Sequence, residues 1–99
     1  MSGVFRDGGA YDEAFVMEAG PIRVLARIAI MDGDVLLRDV YFYPLTSSKL
    51  ELGTRDLLRI FRIVSDQATD EGFLTCSLEA FRAGGARPGR MMHLTRRLR

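Results

Sequence analysis

Three groups of residues carry the side chains from which chemistry is built. The first lies toward the C-terminal end, where Thr75, Ser77 and Glu79 alternate with apolar residues and His93, Thr95 and Arg97 recur at the same spacing of two. Alternation at period two puts each set on one face of a strand. If the two strands pair antiparallel, one register brings Glu79 to His93 and another brings Ser77 there. Either would orient the only imidazole in the chain, and an oriented histidine is the commonest general acid or base. The plain alternative is the ordinary polar face of a half-covered sheet.

The second group is basic. The stretch Arg82 to Arg90 reads RAGGARPGR, a loop whose glycines let backbone approach a ligand and whose Pro88 restricts its path. Arg87 and Arg90 flank that proline, and Arg55 stands at the start of the predicted helix. Together they are the candidate anion site, since guanidinium forks match phosphate and carboxylate. A solvated basic surface is the competing explanation.

The third group comes from a hairpin. Asp32-Gly33 carries the type I′ turn signal between two runs of alternating residues, Pro21–Met31 and Val35–Tyr43. A two-residue turn there fixes a register in which paired numbers sum to 65. Asp39 then faces Ala26 in an otherwise apolar row, where an uncompensated carboxylate is costly. It is either a group held for proton transfer or ligand orientation, or one satisfied at a sheet edge. On the opposite face the same register sets Arg27 against Arg38, an unfavourable like-charge pair. Asp12, placed beside Arg27 by a third strand, or a bound anion would relieve it, and the plain alternative is that the two long side chains splay into solvent.

The elements that position these groups follow from the same patterning. Ala14–Glu18 reads as a short strand ahead of the hairpin, and Pro44 ends the hairpin's second strand. Thr54 or Ser48 caps a helix running to about Glu71, with Leu57, Leu58, Ile60, Phe61, Val64 and Ala68 as its apolar stripe. Gly72 sits where a left-handed C′ residue belongs. Asp70 and Glu71 oppose the helix dipole at that end, and nothing nearby in the sequence explains them. Leu74–Ala80 and Met91–Leu98 are the last two strands. The predicted fold is α+β: a mostly antiparallel sheet, ββ(β)αββ, with one long helix covering one face. A strand–helix–strand succession implies one parallel pair. Leu25, Leu36, Val40 and Phe42 then form an apolar strip on the uncovered face, a surface for a second copy or another protein.

Composition limits the rest. Ninety-nine residues, 47% apolar and 27% charged, make one globular domain, read as residues 11–99 behind a flexible lead-in over residues 1–10. No apolar run reaches the roughly 18 residues of a membrane span, and the N-terminus lacks a secretory h-region. The single Cys76 permits no internal disulfide and falls on an apolar face. A cytoplasmic site is the default expectation, or export as part of a larger effector chain. One Cys and one His do not make a four-ligand zinc site. Walker, GxGxxG and GxSxG motifs are absent, and the sequence leaves any cofactor unknown. The net charge of +1 hides an excess of arginine after Glu79, beyond which there is no acid.

Two families share features with this pattern. GPIRVLARIAIMDGDVLLRDVYFYP, the helix and GFLTCSL resemble the core of the GNAT acyltransferases. In that family a loop at the helix start cradles pyrophosphate. Here Gly53 matches that loop, and Arg55 replaces its small residue. The stretch Asp39 to Leu98 is similar to small C-terminal domains of bacterial RHS-repeat and polymorphic toxin proteins, through RDVYFYP, LGTRDLL, DEGF and GARPGR. That resemblance implies a bacterial effector domain, often a nuclease or group transferase. Three readings stand. One is an effector enzyme acting on a phosphate-bearing substrate, RNA or a nucleotide cofactor, with His93, Glu79 or Asp39 moving protons and Arg55, Arg87 and Arg90 holding the anion. Another is a non-catalytic interaction domain that dimerises or docks through its open face. The third is simple nucleic-acid binding.

Overall fold

The computed structural model describes residues 3–18, 20–45, 53–82 and 90–98, with backbone alone considered for residues 81, 82, 90 and 91. It contains β1 (Ala10–Met17), β2 (Gly20–Met31), β3 (Asp34–Pro44), α1 (Thr54–Asp70), β4 (Thr75–Arg82) and β5 (Arg90–Arg97). The strands form one sheet in the order β1-β2-β3-β4-β5, antiparallel except for the central parallel pair β3–β4. This is the α+β architecture expected from the alternation and the single helical stripe.

The hairpin turn forms as its residues require. Asp32 and Gly33 have φ of 50° and 84°, the positive pair of a type I′ turn. The ladder then departs from the expected register. Pairs sum to 65 from Ile30–Val35 to Arg27–Arg38, but Leu25 pairs with Tyr41 and Val24 with Phe42. Asp39, at φ 52°, is the extra residue of a β-bulge. The Asp39–Ala26 pairing predicted from a regular ladder does not occur. The extra residue leaves Asp39 exposed and turns Val40 into the core, at 3% exposure. Its physical gain is that no carboxylate is buried. The apolar strip is corrected for the same reason: Val40 and Phe42 pack on the helix side, and Tyr41 and Tyr43 take their places on the open face.

Helix α1 lays Leu57, Ile60, Phe61, Val64 and Ala68 into the molecule, while Leu58 stays half exposed. Ile60, Phe61, Val64 and Ala68 join Ile22, Val24, Ile28, Val35, Leu37, Cys76 and Leu78 in one core. The N-cap is Gly53 rather than Thr54, and Ser48 lies outside the described residues. Asp56 reaches back to accept the Gly53 N–H at 3.3 Å. At the other end Gly72 (φ 87°) closes a Schellman motif: Phe73 N–H donates to Ala68 and Gly72 N–H to Thr69. Buried Ser65 donates to the Phe61 carbonyl at 2.7 Å, so its hydroxyl is satisfied inside the helix.

The N-terminal segment contributes more than a lead-in. Strand β1 begins at Ala10 instead of Ala14, and Ile28 N–H donates to the Gly9 carbonyl just ahead of it. Phe5 is buried, stacked on Tyr11 and edge-on to Phe73. Glu71 holds this segment by accepting the Val4 and Phe5 N–H groups at 2.9 and 3.3 Å. The acid that opposed the helix dipole is thus a clamp on a distant backbone. Tyr11 is buried fully, and its hydroxyl donates to Gln67 Oε1 at 2.7 Å. Burial drives that phenol far above its ordinary pKa, so it stays neutral. Among the described residues no helix is long and apolar enough to cross a membrane.

Candidate functional site

The helix covers one face of the sheet, and the residues with chemical capacity gather on the other. Pairing β4 with β5 antiparallel selects the register in which Glu79 faces His93, Ser77 faces Thr95 and Thr75 faces Arg97. His93 Nδ1 lies 3.6 Å from Glu79 Oε1. Its Nε2 shares a 2.9 Å hydrogen bond with Thr95 Oγ1, which in turn lies 3.2 Å from Ser77 Oγ. The imidazole is therefore anchored through Nε2, while Nδ1 faces Glu79 beyond hydrogen-bond distance and the ring remains open to solvent. Glu79 is the more enclosed partner, its side chain 24% exposed against 55% for His93.

The neighbouring strands extend this face. Leu37 partners Leu78 on parallel strands, after which the register shifts, so that Arg38 and Asp39 of the bulge stand against the single residue Glu79 before Val40 partners Ala80. Arg38 is also the direct partner of Arg27. Arg27 and Arg38 thus face each other across β2 and β3, and Glu79 and His93 across β4 and β5, with the irregular step of the β3–β4 ladder between the two pairs. Asp12 does not relieve the arginine pair, contrary to the three-stranded expectation. It partners Leu25 rather than Arg27, and its carboxylate takes both forks of Arg23 at 2.6 and 2.8 Å. Donation from Arg23 holds the Asp12 carboxyl below its usual range. The longer β1 causes the change, because it aligns Ala10 with Arg27. Among the described residues no carboxylate lies within ion-pair distance of Arg27 or Arg38. Two facing cations without a counter-charge are the feature of this surface most in need of an anion.

The remaining candidates fall elsewhere. Asp39 sits exposed on the bulge of β3, one residue beyond Arg38. Arg55 is exposed in the first turn of α1, on the covered side, so the sheet separates it from His93. Arg90 opens β5 opposite Arg82, and its side chain lies outside the described residues, as does Arg87 entirely. Arg82 and Arg90, expected as loop residues, are the paired ends of two strands. The parallel β3–β4 arrangement sets the start of α1 and the start of β5 at the same end of the sheet. Asp56 already answers the Gly53 N–H there.

Arg27 and Arg38 were visible in the sequence as a facing pair, but their place beside Glu79 depends on the parallel β3–β4 register, which no local signal supplies. Cys76 takes no part. It is fully buried, and burial pushes its thiol up to about 11. No three His, Cys, Asp or Glu residues cluster as metal ligands among the described residues. No family model, curated protein or solved structure matches the chain.

Proposed function

We propose that the open sheet face binds a phosphodiester of RNA and cleaves it by general acid–base catalysis, as an effector-type domain of the kind the toxin resemblance implies. The observation that carries this reading is the Arg27–Arg38 pair next to the Glu79–His93 pair, two uncompensated cations beside one acid–base pair. In the transfer, Glu79 takes the proton of the ribose 2′-hydroxyl, and the new 2′-oxygen–phosphorus bond forms. The bond from phosphorus to the 5′-oxygen breaks, and His93 gives that oxygen its proton. Arg27 and Arg38 neutralise the phosphoryl oxygens, whose charge grows in the transition state. Thr95 holds the imidazole ring in plane for this proton transfer.

The test is cleavage of a labelled single-stranded RNA in EDTA by wild type, His93→Ala and Glu79→Gln. Wild type should release 2′,3′-cyclic phosphate ends. Each variant should lose about 10²- to 10⁴-fold in rate, the usual share of one general acid or base. Dependence on a divalent cation, or equal rates in all three proteins, would overturn the proposal.

A further inference from the structure

Beyond these charges the open face carries two exposed aromatic rings. Tyr41 and Tyr43 are 57% and 45% exposed, stacked at 6.3 Å between centroids with 28° between their planes. Regular alternation through Asp39 would have turned both toward the helix. The bulge at Asp39 presents them to solvent instead, opposite Leu25 and Arg23. They begin one row beyond Arg27–Arg38, about 7 Å along the strands, and continue for a second row.

We infer that Tyr41 and Tyr43 form a base-stacking platform, and that the ligand of this face is single-stranded RNA. The inference rests on the phosphodiester-cleaving reading for the choice of RNA; the platform itself rests on the rings. Two aromatic faces side by side offer successive bases a stack in place of water, and every base has such a face. A duplex has its bases stacked on one another and leaves none to share. The adjoining Arg27 and Arg38 provide charge complementary to the connecting phosphates, which neither an apolar peptide nor a neutral sugar would match. Arg23 lies across from Tyr43 with its charge already matched by Asp12, so the free positive charge is graded toward Glu79 and His93. A strand with bases on the tyrosines would therefore run its backbone onto the acid–base pair.

The experiment separates binding from cleavage. A 2′-deoxy oligonucleotide, which lacks the attacking hydroxyl, is titrated by fluorescence anisotropy into wild type, Tyr41→Ala, Tyr43→Ala and Tyr41→Phe. Its duplex and an abasic strand of equal length serve as probes of the base contribution. Each alanine variant should weaken single-strand binding about 5- to 150-fold, the range of one base–aromatic stack. Tyr41→Phe should bind as wild type, and the abasic strand should bind all four proteins equally. The chain has three tyrosines and no tryptophan, so quenching of tyrosine emission in wild type reads the same contact without a mutation. Equal affinity for single strand and duplex, or alanine variants that bind as wild type without quenching, would overturn the platform. Tyrosine-dependent binding without RNA cleavage would sink the cleavage mechanism and leave the platform standing. Cleavage unaffected by either tyrosine would do the reverse.

Discussion

Replacing Arg38 by Thr should make the protein more stable and a weaker ligand binder at once. Arg38 and Arg27 face each other directly across β2 and β3, and no described carboxylate separates them. A mismatched cross-strand pair of this kind costs roughly 0.2–1 kcal/mol. Threonine preserves strand preference, so the charge is the main thing removed. For a domain of this size the gain corresponds to a rise in Tm of about 1–8 °C. It should shrink in 1 M salt, where the screening length falls to about 3 Å. Binding should move the opposite way. Each phosphate contact on a single strand contributes about −0.7 to the slope of log affinity against log salt. Loss of one contact should flatten the slope by that amount, so wild type loses about 2.6-fold more affinity than the variant between 50 and 200 mM salt. Calorimetry for Tm and anisotropy titrations at several salt concentrations measure both. An Arg38→Thr protein that melts lower at low salt, with an unchanged salt slope, would refute the view that the pair is held for an anion.

Other perturbations test the scaffold. The folded chain keeps the Cys76 proton up to about pH 11, whereas an ordinary thiol loses it near 9.0, so stability present below pH 9 should fall by about 3 kcal/mol on the way to pH 11. Urea midpoints across that window should fall less steeply in Cys76→Ala. Glu71→Ala should free the Val4 and Phe5 amides, speeding their hydrogen exchange and lowering stability by about 1–2 kcal/mol. Deleting Asp39 should leave the pairs Arg27–Arg38 and Leu25–Tyr41 intact, detectable as cross-strand proton contacts, whereas Asp39→Val forces a β-branched residue into the left-handed region at about 1–3 kcal/mol.

Local chemistry made the hairpin and the helix end legible. Asp32-Gly33 and Gly72 are short-range signals that determine backbone angles wherever they occur. The bulge was encoded less directly. In LLRDVYFYP two charged residues stand together, after which the apolar alternation resumes one step out of phase. That slip signals an inserted residue, and a regular ladder was the wrong frame for it. The pair Glu79 and His93 was readable as one of two registers, because alternation gives the face but not the offset. Glu71 was opaque for a different reason. Its partners Val4 and Phe5 lie 67 and 66 residues away, and only the closed fold brings them together. Arg55 looked suited to the site because it begins a helix, but sequence order cannot say on which side of a sheet the helix will lie.

The sheet's one parallel seam governs when the open face is assembled. β1, β2 and β3 are joined by short reversals and can assemble as a meander, and β4 pairs with β5 along their whole length. Each half contributes one pair to that face, Arg27 and Arg38 from the first, Glu79 and His93 from the second. Neither half holds both the arginine pair and the Glu79–His93 pair. Contacts between residues far apart in sequence form slowly, because the intervening chain must first be ordered. Zipping β3 to β4 is thus the event that brings the two halves of the open face together.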